Sequence, residues 1–252
     1  MSRPFVPVSA ESNESSEQPY RVRVHPRARH VRLRVDPREG LIVTIPAHFD
    51  RRRIPRLLAE RTEWIRHVRD QHTAIRKERE PAVLAQRPER ISLPAIEREW
   101  RVQYRTTRRL RLGLETRPEQ LIFHLPALAG DDLDRRISGA LKKWLLACGR
   151  RVLPPWVAGL AAAHGFRYRS VRVRNQRSRW GSCSTRGDLS INARLLLCPA
   201  SACEYVLVHE LVHTVHPDHS SAFWGRVAEL VPDHRHQQSL LRTTWVGLPD
   251  WV

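Results

Sequence analysis

Hydrophobic and polar residues alternate in two segments of the first two-thirds of the chain. VRLRVDPREGLIVTIP (31–46) and LRLGLETRPEQLIFHLP (110–126) each consist of an alternating run, a polar turn, a second apolar run and a closing proline. Alternation with a period of two is typical of strands that bury one face. Each segment therefore predicts a β-hairpin, and each leads into a helix-like stretch.

The two hairpins stand at a constant spacing. Their closing prolines are 80 positions apart, and so are the tryptophans of the helix-like stretches, Trp64 and Trp144. A fixed offset of this kind indicates an internal repeat. We expect duplicated β-hairpin-helix units, with copies at about 20–78 and 97–150; chance similarity of two hairpin-helix patterns is the alternative.

The last hundred residues have a different pattern. The stretch 153–165 predicts a helix, and 166–175 predicts an alternating strand. Alternation from 189 to 197 predicts a further strand, which leads into an apolar helix that begins near residue 201. Strands and helices follow one another without a regular βαβ order, so the predicted fold class is α+β.

The same patterns divide the chain into regions. Residues 1–19 are expected to form a disordered tail. The duplicated units occupy 20–150, and a second domain occupies 151–252.

The apolar helix of the second domain carries an unusual number of ionisable side chains. In VLVHELVHTVHPDHSSAFW (206–224), His209 and His213 lie four residues apart, so they share a helical face and can share one ion. Glu210 stands beside them. In the HExxH pattern two imidazoles hold zinc while the intervening carboxylate polarises a water molecule. The spacing therefore predicts a hydrolytic zinc site.

A catalytic zinc needs a third protein ligand and leaves its fourth position open. Pro217 disfavours helical geometry at His216 and turns the chain, which lets His219 return toward the metal. We therefore expect one zinc per chain, bound by His209, His213 and His219.

Three other side chains have competing interpretations. His216 shares the helical face of the pair, but three ligands on one straight helix cannot surround an ion, so we interpret it as a neighbour of the site. Glu229 lies on the following helix and is expected to be a solvated charge rather than a third ligand. Cys183 lacks a recognisable nucleophile elbow and is interpreted as an ordinary thiol.

Composition adds expectations about the cellular setting. The 252 residues are 41% hydrophobic, which is enough for a sizeable core, and no run of 18 apolar residues occurs. The first residues lack the apolar centre of a signal peptide, and the four cysteines have no CxxC spacing. We expect a cytoplasmic protein without a membrane partner.

The net charge of +18 raises nucleic acid as a further partner hypothesis. Residues 171–252 hold 9 arginines and 7 acidic residues, so most of the excess lies in the first 170 residues, away from the expected metal site. Only three of the 44 basic residues are lysine. Genomic base composition would explain such an arginine bias equally well.

Three segments together resemble a known family: RSRWGSCSTRGDLSINARLLLCP (177–199), YVLVHELVHTVHPDHSSAFW (205–224) and VPDHR (231–235). They resemble the YgjP-like predicted metal-dependent hydrolases, which are zincin-fold metallopeptidases related to the SprT-like and WLM groups. The hairpin-helix units also look like the amino-terminal half of that family. The resemblance spans about 20–245 and is most specific within the three quoted segments.

The resemblance implies a zincin-like catalytic domain with zinc at the three histidines, Glu210 as general base and a peptide or protein substrate. It also implies that the strand at 189–197 borders the cleft as an edge strand that pairs with extended substrate. Asp218 departs from the family pattern, in which asparagine is expected in many members. Four further residues are expected either to contact substrate or to lock the loop: Arg179, Trp180, Ser182 and Asn192.

Two other functions remain open. A nucleic-acid-associated SprT-like protease would show DNA-dependent proteolysis. A non-catalytic, zinc-stabilised interaction module would bind zinc with a closed fourth coordination position.

Overall fold

A computed structural model describes residues 12–13, 19–26, 28–78, 87–108, 110–127 and 132–252. The chain divides into two compact units, Met1–Glu78 and Arg79–Val252. The tail expected at 1–19 lies outside the described residues apart from 12–13 and 19.

The first unit consists of a four-stranded sheet and two helices. The strand order is β1-β2-β4-β3, with β2 parallel to β4 and β3 antiparallel to it. The elements are β1 (Ser12–Asn13), β2 (Tyr20–Val24), β3 (Arg32–Asp36), β4 (Gly40–Ile45), α1 (Ile54–Ala59) and α2 (Thr62–Lys77). One face of the sheet and the two helices form a separate core, made by Tyr20, Leu41, Val43, Ile45, Ile54, Leu58 and Ile65.

The second unit begins with another four-stranded sheet, in the order β5-β6-β8-β7. Its elements are β5 (Arg90–Leu93), β6 (Arg98–Thr107), β7 (Gly113–Arg117) and β8 (Gln120–Pro126). Again the second strand is parallel to the fourth, and the third is antiparallel to the fourth. The shared order and directions are those that a repeat would produce, and the duplication itself stays a prediction.

The rest of the second unit holds a long helix, a small sheet and three helices. They are α3 (Leu133–His164), β9 (Ser170–Arg174), β10 (Gly181–Cys183), β11 (Asp188–Asn192), α4 (Ala200–Val212), α5 (Ser221–Leu230) and α6 (His234–Val246). The small sheet has the order β10-β11-β9, with β9 parallel and β10 antiparallel to β11. One core joins both sheets and the helices of this unit. The architecture is mixed α+β, as the sequence predicts.

Two expected boundaries differ from the structure. The division at residue 150 falls in the middle of α3, because Leu153 and Val157 continue the buried side of that helix past Arg150. The strand expected at 189–197 ends at Asn192, where the chain turns into a 3-10 helix, Ala193–Leu197. Among the described residues, none of the helices combines the length and apolarity that crossing a bilayer requires.

Candidate metal centre

The helix α4 carries the first part of the centre into the core of the second unit. Apolar residues occupy nearly all of its faces, including the buried Leu207, Val208 and Leu211, which is typical of a helix packed on every side. His209 and Glu210 lie in its last turn. His213 follows as the C-terminal cap, and its N–H donates to the carbonyl of His209 at 3.3 Å.

Three imidazoles converge beside the end of α4. The ligand nitrogens of His209, His213 and His219 all lie within 4.8 Å of one another. The Nε2 atoms of His209 and His219 are 3.3 Å apart. Three imidazoles on two segments of chain therefore lie close enough to share one ion, and their role as metal ligands stays a prediction.

The donor set fits a zinc ion. Tetrahedral zinc with Zn–N distances of about 2.0–2.1 Å places its ligand nitrogens roughly 3.3 Å from one another. That is the separation of the Nε2 atoms of His209 and His219. Burial, together with the neighbouring His213 and His219, lowers the pKa of His209 to about 3, so the ring is neutral, which is the form that binds metal.

Two hydrogen bonds orient the rings. The Nδ1 atom of His213 lies 3.0 Å from the carbonyl oxygen of His216 and donates to it, which leaves Nε2 for a metal. The Nδ1 atom of His209 lies 3.4 Å from the hydroxyl of Tyr205, which accepts a hydrogen bond from Gln238 at 3.0 Å. The contact with the His216 carbonyl fixes the tautomer of His213, and the Tyr205 hydroxyl holds the orientation of the His209 ring.

The third imidazole is held by the start of α5. The Ser220 side chain caps this helix by accepting from the N–H of Phe223 at 3.5 Å, and Asp218 accepts from the N–H of Ser220 at 3.2 Å. The hydrogen bonds from Ser220 lower the pKa of Asp218. Phe223 is fully buried, and its ring centroid lies 4.8 Å from that of His219. The loop that carries His219 is therefore held by the Ser220 helix cap and by packing against the Phe223 ring.

Glu210 is a buried carboxylate beside the imidazoles. It is 5% exposed, and its Oε2 atom has no hydrogen-bond partner among the described residues. Burial raises its pKa to about 8, and the positive charge of Arg179 acts in the opposite direction. A buried carboxylate with a vacant oxygen is stabilised by a cation, so Glu210 also fits a metal centre.

The strand β10 lies against Glu210 and is the edge strand on this side of the small sheet. A Cβ added to Gly181 would lie 2.5 Å from Oε1 of Glu210, so only glycine allows this approach. The expectation that the strand at 189–197 is the cleft edge is therefore wrong: β11 is the central strand, and β10 covers its cleft side.

Asn192 holds the segment that leads into β10. It is fully buried, and its Nδ2 atom donates to the carbonyls of Gln176 at 2.9 Å and Arg179 at 2.8 Å. Its backbone N–H donates to the carbonyl of Trp180 at 2.8 Å. The Trp180 ring in turn packs edge-on against Trp245, with centroids 4.9 Å apart.

The remaining sequence-predicted residues lie around this centre in different roles. The backbone carbonyl of His216 accepts a hydrogen bond from His213, and the His216 ring is not part of the three-histidine cluster found among the described residues. Glu229 pairs with Arg226 at 2.6 Å on exposed helix surface. Ser182 lies in the middle of β10 opposite Ser190. Cys183 ends that strand, and burial raises its pKa to about 11, which suits a thiol rather than a nucleophile.

Sequence reasoning missed two members of the centre. Tyr205 precedes His209 by four residues, so their shared helical face was a signal that the sequence offered. Gly181 and Glu210 are far apart in the chain, so no local sequence pattern predicts their contact.

Comparison with known proteins points to a peptidase family. The family model described as "YgjP-like, metallopeptidase domain" matches residues 29–244. A crystal structure of the metallopeptidase zymogen of Pyrococcus abyssi abylysin is 21% identical, with a TM-score of 0.34, and covers 37% of this chain and 94% of that chain. The search of curated proteins gave no match.

Proposed function

The chain belongs to the YgjP-like metallopeptidase family, and from that premise we propose that it cleaves peptide bonds with one zinc bound by His209, His213 and His219. The observation that carries this proposal is the convergence of three imidazoles beside the buried carboxylate of Glu210. The coarser conclusion, a metal-dependent hydrolase, follows from the family alone.

The proposed chemistry divides between the ion and the chain. Zinc supplies a Lewis acid that polarises the scissile carbonyl and makes water a stronger acid. Glu210 then accepts the proton of the attacking water and delivers it to the departing amide nitrogen as the C–N bond breaks. No covalent intermediate with the chain is needed. The contacts of Tyr205 and of the His216 carbonyl keep the imidazoles of His209 and His213 in the metal-binding orientation.

The segment before β10 is proposed to position the substrate. Asn192 holds this segment by hydrogen bonds to its backbone carbonyls, and Trp180 holds it by packing against Trp245. Arg179 is exposed and acts electrostatically on Glu210, so its guanidinium is placed to attract a carbonyl or carboxylate of the substrate. Ser182 lies on the edge strand, where an extended peptide would pair with the backbone.

The test is metal content and activity on the same preparation. We expect close to one equivalent of zinc by elemental analysis and cleavage of casein or of a peptide library. Chelation should abolish cleavage, and added zinc should restore it. Cleavage that persists after complete removal of the metal would contradict the proposal.

A second candidate, a nucleic-acid-associated protease, is favoured by one feature of the first unit. On the sheet face away from the core, Arg21 and Arg34 flank Ile42 across the strands. Arg23 and Arg32 flank Thr44 in the next row. Asp36 and Glu39 lie at one end, where they pair with Arg34 and Arg23. Arg21 and Arg32 form no ion pair with any residue that the structure describes.

The second four-stranded sheet has a different set of residues in the corresponding rows. There Gln103 and Glu115 flank Ile122, while Arg105 and Gly113 flank His124. The second sheet also has one row with arginine on both sides, where Arg101 and Arg117 flank Gln120. Two successive rows of this kind occur on the first sheet, and this clustering favours a contact with phosphate groups.

A further inference from the structure

The edge of the small sheet opposite β10 borders a groove of about 660 Å³. One wall comes from α3 and the other from β9. The lining residues are Leu146, Arg150, Pro154 and the run from Val171 to Asn175. The residues proposed for catalysis lie at the other edge of this sheet, so the groove is a separate site.

The strand wall presents unpaired backbone. β9 is the last strand of its sheet and pairs only with β11 among the described strands. In such a strand every second residue directs its N–H and C=O groups away from the sheet. The groove is therefore bordered by a row of hydrogen-bond donors and acceptors at the spacing of an extended peptide.

The helix wall is shaped to receive a strand. Leu146, Arg150 and Pro154 recur every four residues and so form one stripe along α3. Pro154 has no N–H, so the carbonyl of Arg150 lacks its usual donor within the helix. At Gly149 the helix crosses close to the sheet, since an added Cβ would lie 3.1 Å from Val173 Cγ1. The stripe lies beside this crossing, next to the open edge of β9.

The charge of the groove selects its occupant. Arg150, Arg172 and Arg174 are all exposed, and no acidic residue is among the lining residues. None of the lining residues is aromatic, so the groove offers no platform for stacking nucleic-acid bases. Leu146 and Val171 supply apolar contact between the arginines.

We propose that this groove binds an extended, acidic segment of a partner protein, which adds to β9 as a fourth strand. Backbone hydrogen bonds to β9 provide the pairing, apolar side chains contact Leu146 and Val171, and carboxylates pair with the arginines. The groove would recruit a protein through an acidic, extended segment of that protein, and this binding is independent of the cleavage step.

The probe is a fluorescein-labelled peptide of alternating valine and glutamate, longer than β9, titrated by fluorescence anisotropy at low salt. The full-length protein carries Glu210→Gln so that the probe is not cut. Arg172→Gln with Arg174→Gln should weaken binding by about tenfold or more, because charge-assisted contacts to carboxylates are lost. The matched control, Arg167→Gln with Arg186→Gln, removes the same charge from exposed positions outside the groove and should leave the dissociation constant unchanged.

Two further peptides test the binding mode. A peptide with alternate backbone amides methylated keeps its charge but cannot pair as a strand, and it should not bind. A peptide with lysine in place of glutamate should not bind either. The proposal is overturned if the wild-type groove binds no acidic probe, if the methylated or lysine peptide binds as well, or if both arginine pairs weaken binding equally. It is also overturned if duplex DNA proves to be the ligand that depends on Arg172 and Arg174.

Discussion

At the scale of single residues, the centre depends on Glu210, a carboxylate with few polar partners around it. Glu210 is buried, one of its oxygens has no partner among the described residues, and the other faces the backbone of Gly181. Because an unpaired buried charge is costly, this burial raises the pKa of the Glu210 carboxyl to about 8. The task we assign to it is proton transfer.

Replacing Glu210 with glutamine separates catalysis from structure. Glutamine keeps the size of the side chain but removes its basicity, so turnover should fall by about 100- to 10,000-fold, the usual contribution of a general base. Zinc content should stay close to one equivalent, and the melting temperature should not fall. Cleavage rate, elemental analysis and thermal unfolding on one preparation check this. Full zinc with undiminished cleavage would remove Glu210 from the mechanism.

Two neighbouring histidines provide a matched pair for the ligand assignment. His219→Ala removes one of the three grouped imidazoles and should weaken zinc binding. His216→Ala keeps the backbone carbonyl that accepts from His213, so the zinc stoichiometry should be nearly intact. Zinc titration against a competing chelator distinguishes the two variants. If the effects are reversed, the third ligand is His216.

At the scale of elements, the centre depends on how closely β10 approaches α4. The strand can lie against Glu210 only because position 181 has no side chain. Since Gly181 does not adopt a left-handed conformation, its role is to allow close packing rather than to permit a turn.

Gly181→Ala should therefore act on Glu210 rather than on the backbone. The added methyl group would overlap the carboxylate, so we expect a large loss of turnover with zinc retained. Gly225→Ala on α5 is the control, because nothing lies within 4 Å of its added Cβ. That change should leave activity intact and stabilise the helix by up to about 1 kcal/mol. Equal activity of the two variants would show that β10 does not constrain the general base.

The elements also show where sequence patterns are sufficient. The apolar helix expected near residue 201 begins at Ala200, with Pro199 as its N-cap and no side-chain hydrogen bond at the cap. The helix expected at 153–165 is instead the second half of α3, because burial of Leu153 and Val157 carries the helix through Pro154 and Pro155. Tertiary packing overrides local propensity there.

The strand expected to reach residue 197 stops for a different reason. The Asn192 side chain accepts from the N–H of Arg194 at 3.1 Å and begins a 3-10 turn. Leu195 is buried within that turn, so the alternation of apolar residues continued although the strand did not. Likewise, the spacing of the three histidines was visible in the sequence, whereas the edge position of β10 depends on strand pairing that no local pattern specifies.

At the scale of the whole molecule, the positions of the arginines matter as well as the net charge of +18. Arginines spread evenly over the surface would repel one another without creating a binding site. Rows of arginines on one sheet face instead create a local positive field. Trp64 of the first unit is 43% exposed, whereas Trp144 of the second is 7% exposed. The two units therefore present different surfaces, and only the first has arginines on both sides of two successive rows.

Binding of duplex DNA by the full chain should depend on that face and on salt. Each phosphate contact contributes about 0.9 to the slope of log affinity against log salt, so Arg21→Gln with Arg32→Gln should reduce the slope by about 1.8. Arg101→Gln with Arg105→Gln removes the same charge from the corresponding face of the second sheet and should have little effect. Fluorescence titrations with a labelled duplex, over a range of salt concentrations, measure both slopes. Equal reductions would mean that the net charge alone attracts DNA. Absence of binding at low salt would leave genomic base composition as the explanation of the arginines, and the peptidase would then act without nucleic acid.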